Sequence, residues 1–119
     1  MAAQASRLRV SKVGEITQIE FIDRNILDES NIQQIGDELA SVVDEVPTPM
    51  MVICFGNVEH LSSAALGALI TINNRVKGKE GQLRLAEIDP QIREVFKITK
   101  LDQIFRIFDT ADEALASFA

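Results

Sequence analysis

Met50-Met51-Val52-Ile53-Cys54-Phe55 is apolar without a break, and a few residues on comes Leu61-Ser62-Ser63-Ala64-Ala65-Leu66-Gly67-Ala68-Leu69. The first stretch has the composition of a strand covered on both faces, as at the centre of a sheet with parallel neighbours. The second opens a segment, residues 62–77, in which Ala65, Leu69, Ile72 and Val76 recur at helical spacing. A buried strand running through a short connection into an amphipathic helix is the unit of an α/β sheet. Two adjacent hydroxyls, Ser62 and Ser63, stand where the connection, residues 56–60, hands over to the helix.

Toward the N-terminus, residues 7–13 alternate, Leu8 and Val10 against Arg7, Arg9 and Ser11, with the period of a half-buried strand. Gly14-Glu15 supplies a two-residue turn, and residues 16–22 return as a second strand with Thr17, Ile19 and Phe21 on one face. Residues 23–27 read as a loop. Asp28 or Ser30 N-caps the next helix, whose stripe is Ile32, Ile35, Leu39, Val42, Val43 and Val46. Pro47-Thr48-Pro49 ends it, because proline cannot continue a helix and drives its predecessor to extended geometry.

Toward the C-terminus, Gly78 stands where a left-handed helix-ending residue is expected, and residues 82–88 form a strand. Asp89-Pro90 starts a short helix with Ile92, Val95 and Phe96 on its inner face. Leu101 leads into a strand over residues 104–108, and Thr110 with Glu113 forms a capping box. Ala114, Leu115 and Phe118 seat a last helix. The order ββαβαβαβα predicts an α/β fold: a mixed, mostly parallel sheet opened by a β-hairpin, with about four helices. Residues 1–119 form one domain, and residues 1–6 a flexible N-terminus.

A chain of 119 residues buries roughly two-thirds of its unfolded surface and needs no metal or disulfide. The single Cys54 excludes an internal disulfide and any CxxC pair, and in its apolar run it reads as an inert thiol. The start of the chain is too short and polar for a signal peptide, and no apolar stretch is long enough to span a bilayer. A cytoplasmic protein is expected. A net charge of −6 argues against nucleic acid and anionic membranes, whose phosphates need clustered Lys and Arg. A protein or small molecule is the expected partner.

Catalytic constellations are mostly missing. His60 has no Cys or Ser at motif spacing, no GxGxxG follows the first strand, and no Walker-type loop is present. Asp37 and Glu38 read as solvent-side charges, and no metal or cofactor is called for. Ser62 and Ser63 remain. One of them caps the helix, satisfying its orphan N–H groups. The same helix N-terminus tolerates an anion, so a phosphate there would add charge without unfolding the domain.

The segment Ser62-Ser63-Ala64-Ala65-Leu66-Gly67-Ala68-Leu69 resembles the pattern D-S-[ST]-G-L-G-x-[LI] of the STAS family, specifically its bacterial anti-sigma-factor antagonists. Residues 78–81 before a strand with Leu83 and Leu85, the Asp89-Pro90 helix with Val95 and Phe96, Leu101, and the Glu113-Ala114-Leu115 close resemble it too, so the likeness covers nearly the whole chain. The resemblance implies a regulatory module, not an enzyme. It would bind an anti-sigma factor that is also a GHKL-type serine kinase, be released on phosphorylation of Ser63, and be restored by a PP2C-type phosphatase. Ser62 is the second choice of acceptor. Asp23, Arg24, Asn25 and Asp28 would complete the partner surface with Ser62, Ser63 and Ala64, on a monomer. Two positions depart from the pattern: Ser62 replaces the Asp, and Ala65 the glycine two places after the acceptor, in the first turn of the helix. The absent Asp favours the alternative of a constitutive, non-phosphorylated scaffold, or a soluble subunit of a signalling complex or transporter. A small enzyme or ligand sensor is a third class, for which no titratable pair stands at motif spacing.

Overall fold

The computed structural model describes residues 7–26 and 28–118. The expectations for residues 1–6 and for Leu27 lie outside it. Its elements are β1 (Leu8–Val13), β2 (Ile16–Phe21), β3 (Asn25–Ile26), α1 (Glu29–Asp44), β4 (Met50–Cys54), β5 (His60–Leu61), α2 (Ser63–Gly78), β6 (Gln82–Ala86), α3 (Pro90–Ile98), a 3-10 turn (Leu101–Gln103), β7 (Arg106–Phe108) and α4 (Ala111–Ala116). The main sheet has the order β1-β2-β4-β6-β7. β1 is antiparallel to β2, and every later pairing is parallel.

The hairpin forms because Gly14 takes a left-handed φ of 63°, which brings Val13 opposite Ile16. From β2 onward each crossover advances one strand in the same direction. Crossovers of one hand therefore put their helices on one face. There Ile35, Leu39 and Val43 of α1, Leu69, Ile72 and Val76 of α2, and Ile92 and Phe96 of α3 pack with Ile19, Met51, Ile53 and Leu85. β7 is the last strand, so α4 is free of that rule and covers the other face. Val52, Cys54 and Ala86 there meet Ala114, with Leu115 and Phe118 packed around them. β4 is thus covered on both sides, as its apolar run predicts.

Several expectations are corrected. Val10 is 45% exposed, because β1 is the edge strand and the helix layer stops short of it. Val95 is 40% exposed: α3 buries only Ile92 and Phe96. Val46 lies beyond α1, which ends at Asp44. The strand expected over residues 82–88 stops at Ala86. That expected over 104–108 begins only at Arg106, after the 3-10 turn. Gly78 is the last helical residue of α2, and the left-handed residue is Glu80, at φ 60°.

Asn73 of α2 is 3% exposed, and its side-chain Nδ2 finds no acceptor among the described residues. A buried donor without a partner loses its hydration for nothing, whereas an apolar side chain of the same shape loses none. Asn73→Leu is therefore expected to raise stability by about 1–2 kcal/mol, read as the midpoint of urea unfolding. Burial pushes the Cys54 thiol up to about 11, helped by the charges of Glu87 and Glu20 and opposed by the Gln18 amide that donates to Sγ at 3.7 Å. The thiolate is the reactive form. Native protein at about pH 8 is thus expected to resist a thiol-specific reagent that labels it fully in denaturant.

Candidate functional site

The site forms where the chain leaves β2 and β4 at the carboxyl end of the parallel strands. Phe21 and Phe55 pack edge to face with ring centroids 5.0 Å apart, fixing the two exits against each other. The Phe55 N–H donates to the Ala86 carbonyl at 2.9 Å and the Val58 N–H to the Phe55 carbonyl at 2.9 Å, so the loop turns at once. Buried Val58 and Ile26 then anchor the two segments in the core.

What was expected to be two separate loops is a small parallel sheet. β3 pairs with β5, Asn25 opposite His60 and Ile26 opposite Leu61. The Glu59 N–H donates to the Arg24 carbonyl at 2.8 Å, and the Ser62 N–H to the Ile26 carbonyl at 3.1 Å. An ion pair of 2.8 Å, Arg24 Nε to Glu59 Oε2, crosses above it. This ladder sets residues 24–26 beside residues 59–62, joining the segment after β2 to the start of α2. Two-residue strands have no periodicity, so no sequence pattern announced them.

The two serines have different jobs. Ser62 is the N-cap of α2: its Oγ accepts from the Ala65 N–H at 3.2 Å, and its backbone is extended, φ −82° and ψ 165°. Its hydroxyl is committed to the helix. Ser63 is the first helical residue, is exposed, and makes no side-chain hydrogen bond among the described residues. Ala64 beside it is exposed, and no acidic residue stands in the first turn. Ser62→Ala is expected to destabilise the protein by about 1 kcal/mol through loss of the cap, a shift visible in thermal unfolding; Ser63→Ala should leave the midpoint in place.

The other expected partner residues divide in the same way. Asp23 is gripped by Arg7, whose Nη1 reaches both carboxylate oxygens at 2.9 and 3.0 Å. Asp28 caps α1, accepting from the Ser30 N–H at 3.2 Å. Arg24 is tied to Glu59, and Asn25 is exposed. Asp23 and Asp28 are therefore engaged within the domain, while Asn25, Ser63 and Ala64 are exposed. Next to it, Glu59, His60, Asp89, Pro90 and Gln91 line an open groove of about 370 Å³. His60, given no catalytic partner by the sequence, is exposed at its rim. No helix among the described residues is long and apolar enough to cross a membrane.

Comparison with known proteins gives a consistent match. The sequence model of the STAS domain matches residues 13–114. BtrV of Bordetella bronchiseptica, a candidate anti-sigma factor antagonist, is 30% identical over 95 residues, covering 80% of this chain and 81% of that protein. An anti-sigma-factor antagonist (STAS) domain protein from Planctomyces limnophilus superposes with a TM-score of 0.84 at 24% identity, over 92% of this chain and 96% of that one. The Bacillus cell-fate determinant SpoIIAA in its phosphorylated form does so with a TM-score of 0.71 at 18% identity, over 94% and 99%.

Proposed function

This chain belongs to the STAS domain family, and from that membership we propose that it is an anti-sigma-factor antagonist switched by phosphorylation of Ser63. Unmodified, it binds an anti-sigma factor of the GHKL serine-kinase type and so frees a sigma factor. The kinase then transfers the γ-phosphoryl group of ATP to Ser63 Oγ; the O–P bond forms, ADP leaves, and the hydroxyl proton passes to a base of the kinase. A PP2C-type phosphatase restores the hydroxyl by hydrolysis. The chain is the substrate of these steps, not their catalyst. It works in the cytoplasm as a single monomeric domain over residues 1–119.

One observation carries this reading: of the two adjacent hydroxyls, Ser62 is spent on the helix, and Ser63, at the first helical position, is exposed and makes no side-chain hydrogen bond among the described residues. A kinase can reach Ser63 without breaking a cap. A phosphate there faces the positive end of the helix dipole, so the domain stays folded while its outer surface gains about −1.5 to −2 charge. Asn25, Ala64 and the Arg24–Glu59 pair on the β3–β5 ladder supply the rest of the docking surface, shaped from beneath by Asp23 and Asp28.

The test is calorimetric binding to the GHKL-type anti-sigma factor of the same genome, in ADP and in ATP. Tight binding in ADP that decays with time in ATP, and that persists in ATP for Ser63→Ala, is expected. Equal, lasting binding in both nucleotides would instead identify a constitutive scaffold, the reading that Ser62 in place of the family Asp favours.

A further inference from the structure

We propose that Arg84 and Arg106, on the α4 side of the sheet, form a binding site for a small oxyanion of the phosphate type. The parallel register of β6 and β7 sets Arg84 directly opposite Arg106. Arg84 is 3% exposed and is the one charged side chain among the buried described residues. Among the described residues its hydrogen-bond and ring contacts are neutral. Nε donates to Ser117 Oγ at 2.6 Å, Nη2 donates to Gln82 Oε1 at 2.5 Å, and the Phe118 ring lies over the guanidinium with its centroid 4.1 Å from Cζ.

The ion pairs among the described residues take up Arg7, Arg24, Arg75 and Arg93, and neither Arg84 nor Arg106. Acids are not scarce, since the chain has 18 Asp and Glu against 12 Lys and Arg. Arg84 nevertheless has a second cation as its partner across the ladder. Burial, and then the charge of Arg106, both weaken its hold on its proton. A buried charge without a counter-ion among the described residues is expensive, and an anion held between the Nη1 end of Arg84, which the bonds to Ser117 and Gln82 do not use, and the Arg106 guanidinium offsets that cost and relieves the repulsion. Planar guanidinium edges suit phosphate oxygens. Arg106 is exposed beside Phe108, its Cζ 5.6 Å from that ring centroid, and leaves an approach from solvent. The hydroxyl and ring on Arg84 belong to Ser117 and Phe118, which follow α4. Anion binding therefore clamps the end of α4 to the sheet, on the face opposite α2.

Titration of the whole chain with inorganic phosphate at constant ionic strength, against chloride, tests the site. In the wild type a saturable displacement of the Arg84 Nε–H resonance is expected. At phosphate tenfold above its Kd the folded-to-unfolded ratio rises about tenfold, and Tm by about 5 °C. Arg106→Gln alters an exposed side chain, so it should fold normally and bind phosphate at least about tenfold more weakly. No displacement beyond that in chloride, or an unchanged titration in Arg106→Gln, would overturn the proposal.

Discussion

Replacing Ser63 by Glu is expected to weaken binding to the anti-sigma factor by about 30- to 1,000-fold, roughly 2–4 kcal/mol, while leaving thermal stability unchanged or slightly raised. The two halves of this result have separate causes. Ser63 is the first residue of α2, and an acidic side chain there complements the helix dipole. Its side chain is exposed and touches no hydrogen-bonding partner among the described residues, so nothing inside the domain must rearrange to admit a carboxylate. In the proposed complex that same position would be covered, and a new charge would have to be desolvated against a surface built for a hydroxyl. Ser62→Glu separates this account from general damage to the helix start. It removes the neutral cap whose Oγ holds the Ala65 N–H, so any loss of binding should travel with a changed unfolding midpoint. Calorimetry and thermal unfolding of both variants give the comparison; equal binding by Ser63→Glu and wild type would remove Ser63 from the interface.

Gly81→Ala is expected to destabilise the protein by about 2–3 kcal/mol and lower Tm by about 10 °C, the largest stability effect of any glycine substitution in the chain. The end of α2 shows why. The Gly81 N–H donates back to the Val76 carbonyl and the Glu80 N–H to the Lys77 carbonyl, both at 2.9 Å, with Glu80 left-handed between them. This closing turn seats Gly81 against Pro49, whose carbonyl accepts from the Gln82 N–H at 2.8 Å. A Cβ at Gly81 would collide with that carbonyl oxygen and with the proline ring. Neither is the loose end of a side chain. Relief would have to shift β6 along β4 at the point where Met50 and Gln82 begin their register. Gly78 is the control: it is helical, and an added Cβ meets nothing within 4 Å. Gly78→Ala should be neutral or stabilising by up to about 1 kcal/mol. Urea unfolding of the two variants reads the difference, and similar behaviour would contradict the close approach at Pro49.

That pair of glycines also shows what a sequence conveys and what it withholds. Sequence alone marks Gly78 as the helix-ending residue and Gly81 only as a residue before the next strand. Which one is indispensable depends on a proline some thirty residues earlier, and nothing local to α2 announces it. The apolar run of β4 and the Ala65, Leu69, Ile72 and Val76 stripe of α2 were legible because each is long enough for burial to impose a period. Val10 and Val95 follow the same periods yet are exposed, because they sit where the covering layer ends, and local spacing does not encode where a layer ends. At the site, the hydroxyl pair and the helix start were readable from residue types alone. The assignment of Ser62 to the cap required coordinates, as did the β3–β5 ladder, whose two-residue strands are too short to leave a pattern. Residues 23–28 reached the partner surface by resemblance, and their geometry divides them: Asp23 and Asp28 hold backbone and arginine in place, while Asn25 faces outward. Arg84 falls on the polar side of an alternating strand, and only the packing of α4 turns it into a buried cation.

The central claim is that Ser63 is the residue a partner kinase modifies. Intact-mass analysis of wild type, Ser62→Ala and Ser63→Ala after incubation with ATP and the GHKL-type anti-sigma factor of the same genome tests it most directly. One added phosphate on wild type and on Ser62→Ala, and none on Ser63→Ala, is the predicted result. A phosphate that survives in Ser63→Ala, or no phosphate on any variant while binding stays intact, would contradict it.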